Sequence, residues 1–209
     1  KSTISYSICV NIGASSNNIH VQNCAIKNAK GQGVLASAGA SNIYVENCSF
    51  INGAYIAIEL NAVSNCFVRG NVFSGNAAFG VFATVGTYGG EYSQNYTEDS
   101  GLELIGIRYD CHDIKVIGNT AINCLDNGIS VTGYNCTVTG NICHTNKGSG
   151  IHLYGSNNTA VGNVCYNNGQ NQVNRAGIQI AGDAGGVATN NTVVGNVCFD
   201  NQTVPTQTW

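Results

Sequence analysis

The feature that most constrains this chain is that it repeats itself. "VTGNICHTN" at 138–146 returns as "AVGNVCYNN" at 160–168 and as "VVGNVCFDN" at 193–201. One mark, on the Asn of Gly-Asn or its equivalent, falls at Cys24, Cys48, Asn71, Asn95, Asn119, Asn141, Asn163 and Asn196, in steps of 24, 23, 24, 24, 22, 22 and 33. A second mark, the apolar residue of Gly-Ile-x-Leu, is placed at Ile8, Val34, Ile58, Val81, Ile107, Ile129, Ile151 and Ile178. It follows the first by 10 residues at 24→34, 48→58, 71→81, 119→129 and 141→151. A period of this length must be identified before any other reading, because it dictates the architecture.

Two architectures repeat every 22 to 24 residues. Leucine-rich repeats need several Leu and a helical side, and Leu is scarce here. Each half-repeat instead alternates apolar and polar residues, as in "NIHVQN" and "NIYVEN", with Gly, Asn and Ser between. That pattern predicts short strands and tight turns. Stacked at fixed register they form an all-β parallel β-solenoid of eight or nine coils over residues 1–201, with 202–209 as an exit tail. Over residues 4 to 201 the chain resembles the right-handed parallel β-helices of the pectate-lyase-like superfamily, which include bacterial carbohydrate enzymes and phage tailspikes.

Stacking at about 4.8 Å puts like residues above like. Asn71, Asn95, Asn119, Asn141, Asn163 and Asn196 should therefore form an amide ladder at a turn, bonding coil to coil and tolerating left-handed backbone. The ten cysteines fit the same scheme. Cys143, Cys165 and Cys198 share the slot of Ile26, Phe50, Phe73 and Ala121 and read as small core residues. Cys24 and Cys48 take the ladder slot, and Cys66 and Cys136 point inward. No CxxC or His-x-His spacing suggests zinc, and neither metal nor other cofactor is expected.

Reduced core thiols predict folding in a reducing cytoplasm. Of six Asn-x-Ser/Thr sequons, at Asn47, Asn95, Asn135, Asn157, Asn190 and Asn201, the second falls inside the ladder, where a glycan has no room. The chain starts at Lys1 and has no Met, so a processed piece of a longer protein is expected. Charged residues are 9 % and the net charge is −3, against about 25 % charged residues in an average domain. Eight scattered basic residues do not make a nucleic-acid surface, and no apolar run nears the roughly 18 residues of a membrane span.

With the Gly-Ile-x-Leu apolar residues inward, the residues between them face out in columns. One predicted column reads Cys9, Leu35, Glu59, Phe82, Arg108, Ser130, His152, Gln179. The next reads Asn11, Ser37, Asn61, Thr84, Asp110, Thr132, Tyr154, Ala181. Aromatics among carboxylates, amides and hydroxyls suit a sugar polymer. This face gives Asn61, Phe82, Thr84, Thr132, His152, Tyr154 and Gln179 as candidate substrate contacts. Glu59 and Asp110 are the candidate acid and base, with Cα atoms about 12 Å apart, within reach of the roughly 6.5–9.5 Å carboxyl spacing of an inverting glycosidase. Arg108 would keep Asp110 ionised as base.

"YDCHD", Tyr109 to Asp113, resembles the Asp-Pro-His-Glu stretch of mannuronan C5-epimerases and alginate lyases, with Cys111 in place of Pro. That resemblance implies catalytic roles for Asp110 and His112, with Tyr109 as the tyrosine. Two segments break the period, 169–177 and 182–190, and these, with 88–101, are expected to wall a groove or to be surface loops. An outward apolar ridge of Ile117, Thr139, Val161 and Val194 resembles the surfaces on which tailspike chains pack, which implies a homotrimer. The function expected is recognition and cleavage of a bacterial surface polysaccharide, by hydrolysis rather than elimination because basic residues are few. The setting would be a phage tail or a bacterial surface. A non-catalytic glycan-binding or structural spike segment is the competing class.

Overall fold

The computed structural model describes residues 7–170, 175–182, 187–202 and 207–208. Among these there is no helix, and hence none long and apolar enough to cross a membrane. The strands form three parallel sheets of eight strands each, every strand pairing with its equivalent one coil away. The result is a β-solenoid of about seven turns, slightly fewer than the eight or nine coils expected. Arg175–Ala176 also pairs with Gln207–Thr208.

The first sheet runs from Val10–Ile12 to Ile178–Ile180, the second from Asn17–Gln22 to Thr192–Val194, the third from Ala25–Lys27 to Val197–Phe199. Most strands are three residues long and place alternate side chains inward. The core is one continuous column of Val, Ile, Leu, Ala, Phe and Cys. Cys143, Cys165 and Cys198 stack in register with one another above Phe73 and Ala121. All ten cysteines are free thiols. Burial pushes the pKa of Cys66 up to about 12 and that of Cys124 higher still, as expected for thiols acting as core hydrophobes.

The amide ladder is present along its predicted length. Each Asn from 71 to 163 donates its Nδ2 to the Oδ1 of the next, at 2.8–3.0 Å. The same Oδ1 atoms accept the backbone N–H of the Asn one coil earlier, at 2.8–3.1 Å. Asn95 is 1 % exposed. The left-handed backbone, however, sits one residue before the ladder, on Gly70, Gly118, Gly140, Gly162 and Gly195, with φ of 61–64°. Gly-Asn thus divides the work: glycine takes the positive φ that costs other residues strain, and asparagine ties the coils.

Two further amide series run at the other corners. Asn146 donates to Asn168 and accepts from the Cys124 N–H. Asn158 accepts from the Cys136 N–H, and its own N–H goes to Asn191.

The segment 88–101 is not a loop. Tyr88–Ser93, bent at Gly89 and Gly90 where φ is 67° and 103°, and Tyr96–Glu98 are strands of the second and third sheets. Glu91 pairs with Arg69 at 3.3 Å. Tyr92, from the same strand, is fully buried, and its hydroxyl has no hydrogen-bond partner. Burial raises its pKa further. An unpaired buried hydroxyl is a net cost, so Tyr92→Phe is expected to stabilise the fold by about 1 kcal/mol, measured by urea unfolding.

Candidate functional site

The register of the first sheet decides which outward residues meet. Glu59, Phe82, Gly106, Ser130, His152 and Gln179 form one column, with Asn11 and Leu35 below. Two places on, Asn61 pairs with Thr84. The ladder then continues through Arg108, Thr132 and Tyr154, whose N–H groups bond to Ala83, Ile107 and Val131. The predicted columns therefore hold except in two coils. Ile105, not Ile107, pairs with Val81 and Ile129, and Val10, not Ile8, pairs with Val34. Arg108 consequently stands over Thr84 instead of Phe82, and Asp110 leaves the column.

Asp110 lies in the turn between the first and second sheets, with φ of 62° and its neighbour Cys111 N–H closing back on Arg108 O at 3.2 Å. Glu59 remains on the first sheet and accepts a hydrogen bond from Gln32 at 2.7 Å. The residue two coils above Glu59 is Gly106. Asp110 is four residues beyond it and past a corner, so the two carboxylates do not share a face. The expected acid/base pair is not brought together.

What the turn does assemble is a cavity of about 390 Å³ lined by Tyr109, Asp110, Thr132, Tyr134, Tyr154 and Ser156, among others. Four of these, Tyr109, Asp110, Thr132 and Tyr154, are among the residues predicted from sequence. Val187, from the predicted insertion at 182–190, closes one side. Residues 171–174 and 183–186, the remainder of the expected groove walls, lie outside the described residues. Tyr109 is 58 % exposed.

Tyr134 stacks on His112 at 4.9 Å, and His112 on Tyr88 at 5.3 Å. The His112 ring is fixed by Asp113 through a 2.7 Å contact at Nδ1. Cys111, between Asp110 and His112, points inward and is buried. Alternation thus sends Asp110 and His112 outward on either side of a core residue. His152 is buried against the ring of Tyr154, with centroids 3.5 Å apart.

At the opposite end of the strand Ile105–Ile107 lies a buried acid that the sequence did not reveal. Glu103 is 2 % exposed, accepts a hydrogen bond from Ser130 Oγ at 2.8 Å, and faces Arg108 at 3.5 Å. Arg108 also bonds Ser130 at 3.3 Å and lies over the rings of Phe79 and Phe82. Gly106 makes this possible, since a Cβ there would sit 2.8 Å from the Phe79 ring. Burial pushes the Glu103 carboxyl up to about 7, against the opposing pull of Arg108. Arg108 thus reaches the Phe82 ring directly, at 5.5 Å, although its backbone stands over Thr84.

Residues 1–90 and 47–198 match the family described as the right handed beta helix region. No curated protein sequence matches the chain. Among solved structures it is similar to the periplasmic alginate epimerase AlgG, with 16 % identity, a TM-score of 0.72, and coverage of 88 % of this chain and 46 % of that one. A tailspike protein of E. coli bacteriophage HK620 gives 15 % identity, a TM-score of 0.54, and coverage of 86 % and 43 %. The enzymatically active domain of bacteriophage CBA120 tailspike protein 2 gives 11 %, 0.52, and coverage of 90 % and 38 %. The chain spans less than half the length of each of these proteins, and at such identities the likeness is one of fold. Three eight-stranded parallel sheets in matching register, together with the family match over most of the sequence, establish that the chain belongs to the right-handed β-helix family.

Proposed function

We propose that this chain binds a polysaccharide in the cavity at the first corner of the coil and acts on it through Asp110. The observation that carries the reading is the convergence of Tyr109, Asp110, Thr132, Tyr134 and Tyr154 on one cavity of about 390 Å³. Tyrosine edges and faces offer apolar contact to sugar rings, while their hydroxyls, Thr132 and Asp110 hydrogen-bond to sugar oxygens. The names of the structurally similar proteins, an alginate epimerase and phage tailspikes, support a polymer of this class.

Two reactions compete for such a site. Inverting hydrolysis needs two carboxylates about 6.5–9.5 Å apart across the bond, and the register removes Glu59 from Asp110. Proton abstraction from a sugar carbon needs a base and an acid on neighbouring elements, with a nearby cation. Tyr109 and Asp110 line the cavity, and the His112–Asp113 pair stacks on its Tyr134. Asp-x-His resembles the epimerase and lyase stretch, although Tyr109 directly precedes Asp110 instead of standing further upstream and Arg108 turns its guanidinium to Glu103. The reading therefore shifts from hydrolysis toward elimination or epimerisation.

The test is a panel of capsular, O-antigen and alginate-type polysaccharides, following unsaturated-sugar absorbance, new reducing ends and uronate stereochemistry together. Asp110→Asn is expected to lower turnover at least about 100-fold. An equal loss in Glu59→Gln, with reducing ends but no absorbance, would restore two-carboxylate hydrolysis. Binding without turnover would leave the adhesin reading.

The same proposal places the chain on a phage tail or a bacterial surface, where such polymers are met. It also assigns an assembly role to the predicted ridge. Ile117, Thr139, Val161 and Val194 do stand in one column, and Ile142 and Val197 across the glycine turn are exposed as well. Sister chains packed on this face would give the homotrimer, and sedimentation velocity would show it.

A further inference from the structure

We propose that Arg108 is a proton-gated contact for an anionic group of the bound polymer: it holds that group while Glu103 behind it carries a proton, and gives it up when Glu103 ionises. The inference rests on the polysaccharide reading above and adds to it the charge of the polymer and a control on its binding.

Arg108 stands in the outer column of the first sheet. Its N–H bonds to Ala83 O at 3.0 Å, and one coil on the Thr132 N–H bonds to Ile107 O at 2.7 Å. Thr132 lines the cavity, so the Arg108 backbone is about 4.8 Å from the cavity wall. The guanidinium lies over the Phe79 and Phe82 rings, 5.1 and 5.5 Å from their centroids, and the side chain is 28 % exposed. The rings hold the charge in place without neutralising it. Glu103 is the reverse, a carboxyl 2 % exposed with the arginine facing it.

Only one oxygen of Glu103 is provided for. Ser130 Oγ donates to Oε1 at 2.8 Å, whereas Oε2 faces Arg108 Nη2 at 3.5 Å and accepts no hydrogen bond. Ionised, the group buries an unpaired oxygen; protonated, it can carry its hydrogen there.

Few charged or titratable groups face this pair. Asp126 comes from the coil above, and the buried Cys124 from the same turn. Phe79 and Phe82 bring no charge from below. Beyond Ser130 the column continues to His152, buried against Tyr154, and Asp110 follows Arg108 past the corner. Burial and Asp126 raise the Glu103 pKa while Arg108, Ser130 and Asn127 lower it, and burial prevails at about 7.

Below that pH the acid is neutral, and Arg108 presents an uncompensated positive charge one coil from the cavity. An anionic substituent on a sugar ring can then take its N–H groups in a charge-assisted hydrogen bond. Above that pH Glu103 and Arg108 neutralise each other, and the polymer competes with a carboxylate already in place. Binding therefore takes up a proton from solvent near neutral pH, and by reciprocity the bound anion raises the Glu103 pKa.

The experiment measures binding of oligomannuronate at pH 6 and pH 8 by calorimetry, with dextran as the neutral control, and follows the Glu103 carboxyl carbon by NMR. The native chain should bind oligomannuronate about tenfold more tightly at pH 6, the ratio of protonated Glu103 at the two pH values. The Glu103 resonance should titrate near neutral pH, and at higher pH once oligomannuronate is bound. Glu103→Gln should bind as tightly at pH 8 as at pH 6, and Arg108→Gln weakly at both. Whatever else titrates in this window does so in every chain, so the difference between native and Glu103→Gln belongs to Glu103. The same pH slope in those two chains, a Glu103 resonance indifferent to oligomannuronate, or binding of dextran alone would each overturn the gate while leaving the polysaccharide reading in place. No binding of either would also overturn the gate, and the wider panel then decides the polysaccharide reading separately.

Discussion

Asn119→Ala, in the middle of the ladder, is expected to cost the fold about 4 kcal/mol. Asn119 Nδ2 donates to Tyr92 O at 2.8 Å and to Asn141 Oδ1 at 2.9 Å. Its Oδ1 accepts the Asn95 N–H at 2.9 Å and Asn95 Nδ2 at 3.0 Å. Alanine removes all four bonds, and no water can replace them where Asn95, Asn119 and Asn141 are all buried. The Asn95 N–H is left unpaired at about 1–3 kcal/mol, and the bonds of Asn119 Nδ2 to Tyr92 O and Asn141 Oδ1 are lost at about 1 kcal/mol each. Urea unfolding followed by circular dichroism measures the loss. A change below about 1 kcal/mol would mean that the ladder is ornament to the sheets rather than a tie between them.

The second large effect is on pH. Glu103 has a folded pKa of about 7 against an ordinary value of 4.5, raised by burial. Below pH 4.5 both folded and unfolded states hold the proton, and its contribution to stability is fully present. As pH rises toward 7 the unfolded chain releases the proton while the folded chain retains it, so stability falls. Above 7 the loss is complete, at up to about 3 kcal/mol. Between pH 5 and 8 the native chain should therefore lose stability that Glu103→Gln does not lose. Equal slopes in the two chains would show that the Arg108 ion pair at 3.5 Å offsets the desolvation.

The fold was legible because its determinants recur. A ladder Asn bonds to another Asn 22 to 24 residues away in every coil but the last, where the step is 33, so the sequence prints Gly-Asn at the distance of the contact in all but the Gln94-Asn95 coil. The site was harder to read because it depends on register within one coil. "LIGI", 104 to 107, offers Ile105 and Ile107, both inward and both fully buried. Period two cannot choose between them. The constant offset of 10 from the preceding ladder residue, Asn95, points to Ile105, and the structure agrees. Anchoring on Ile107 moved Arg108 and Asp110 by one inward-facing step and created a carboxylate pair that the coil does not hold.

Glu103 was invisible for another reason. It stands level with Phe79 and Asn127 in the neighbouring coils, a slot that is buried in both, just before the Ile105 whose register was misplaced. Ser130 Oγ at 2.8 Å and the Arg108 guanidinium at 3.5 Å close over it, and Arg108 is held there by the Phe79 and Phe82 rings that lean into the space above Gly106. The signal would have been a glycine in a column otherwise held by Leu35, Glu59, Phe82 and Ser130.

The ladder steps are 24, 24, 22, 22 and 33 residues from Asn71 onward, yet the side-chain bonds across them stay at 2.8–3.0 Å. Spacing between coils is therefore indifferent to how much chain lies between them. Such a molecule grows in whole units, like a lattice with variable decoration. Extra residues can be added to one corner, as they are between Asn163 and Asn196, without rephasing any neighbour. The wall of the cavity and the shaft that carries it are consequently free to evolve on separate schedules.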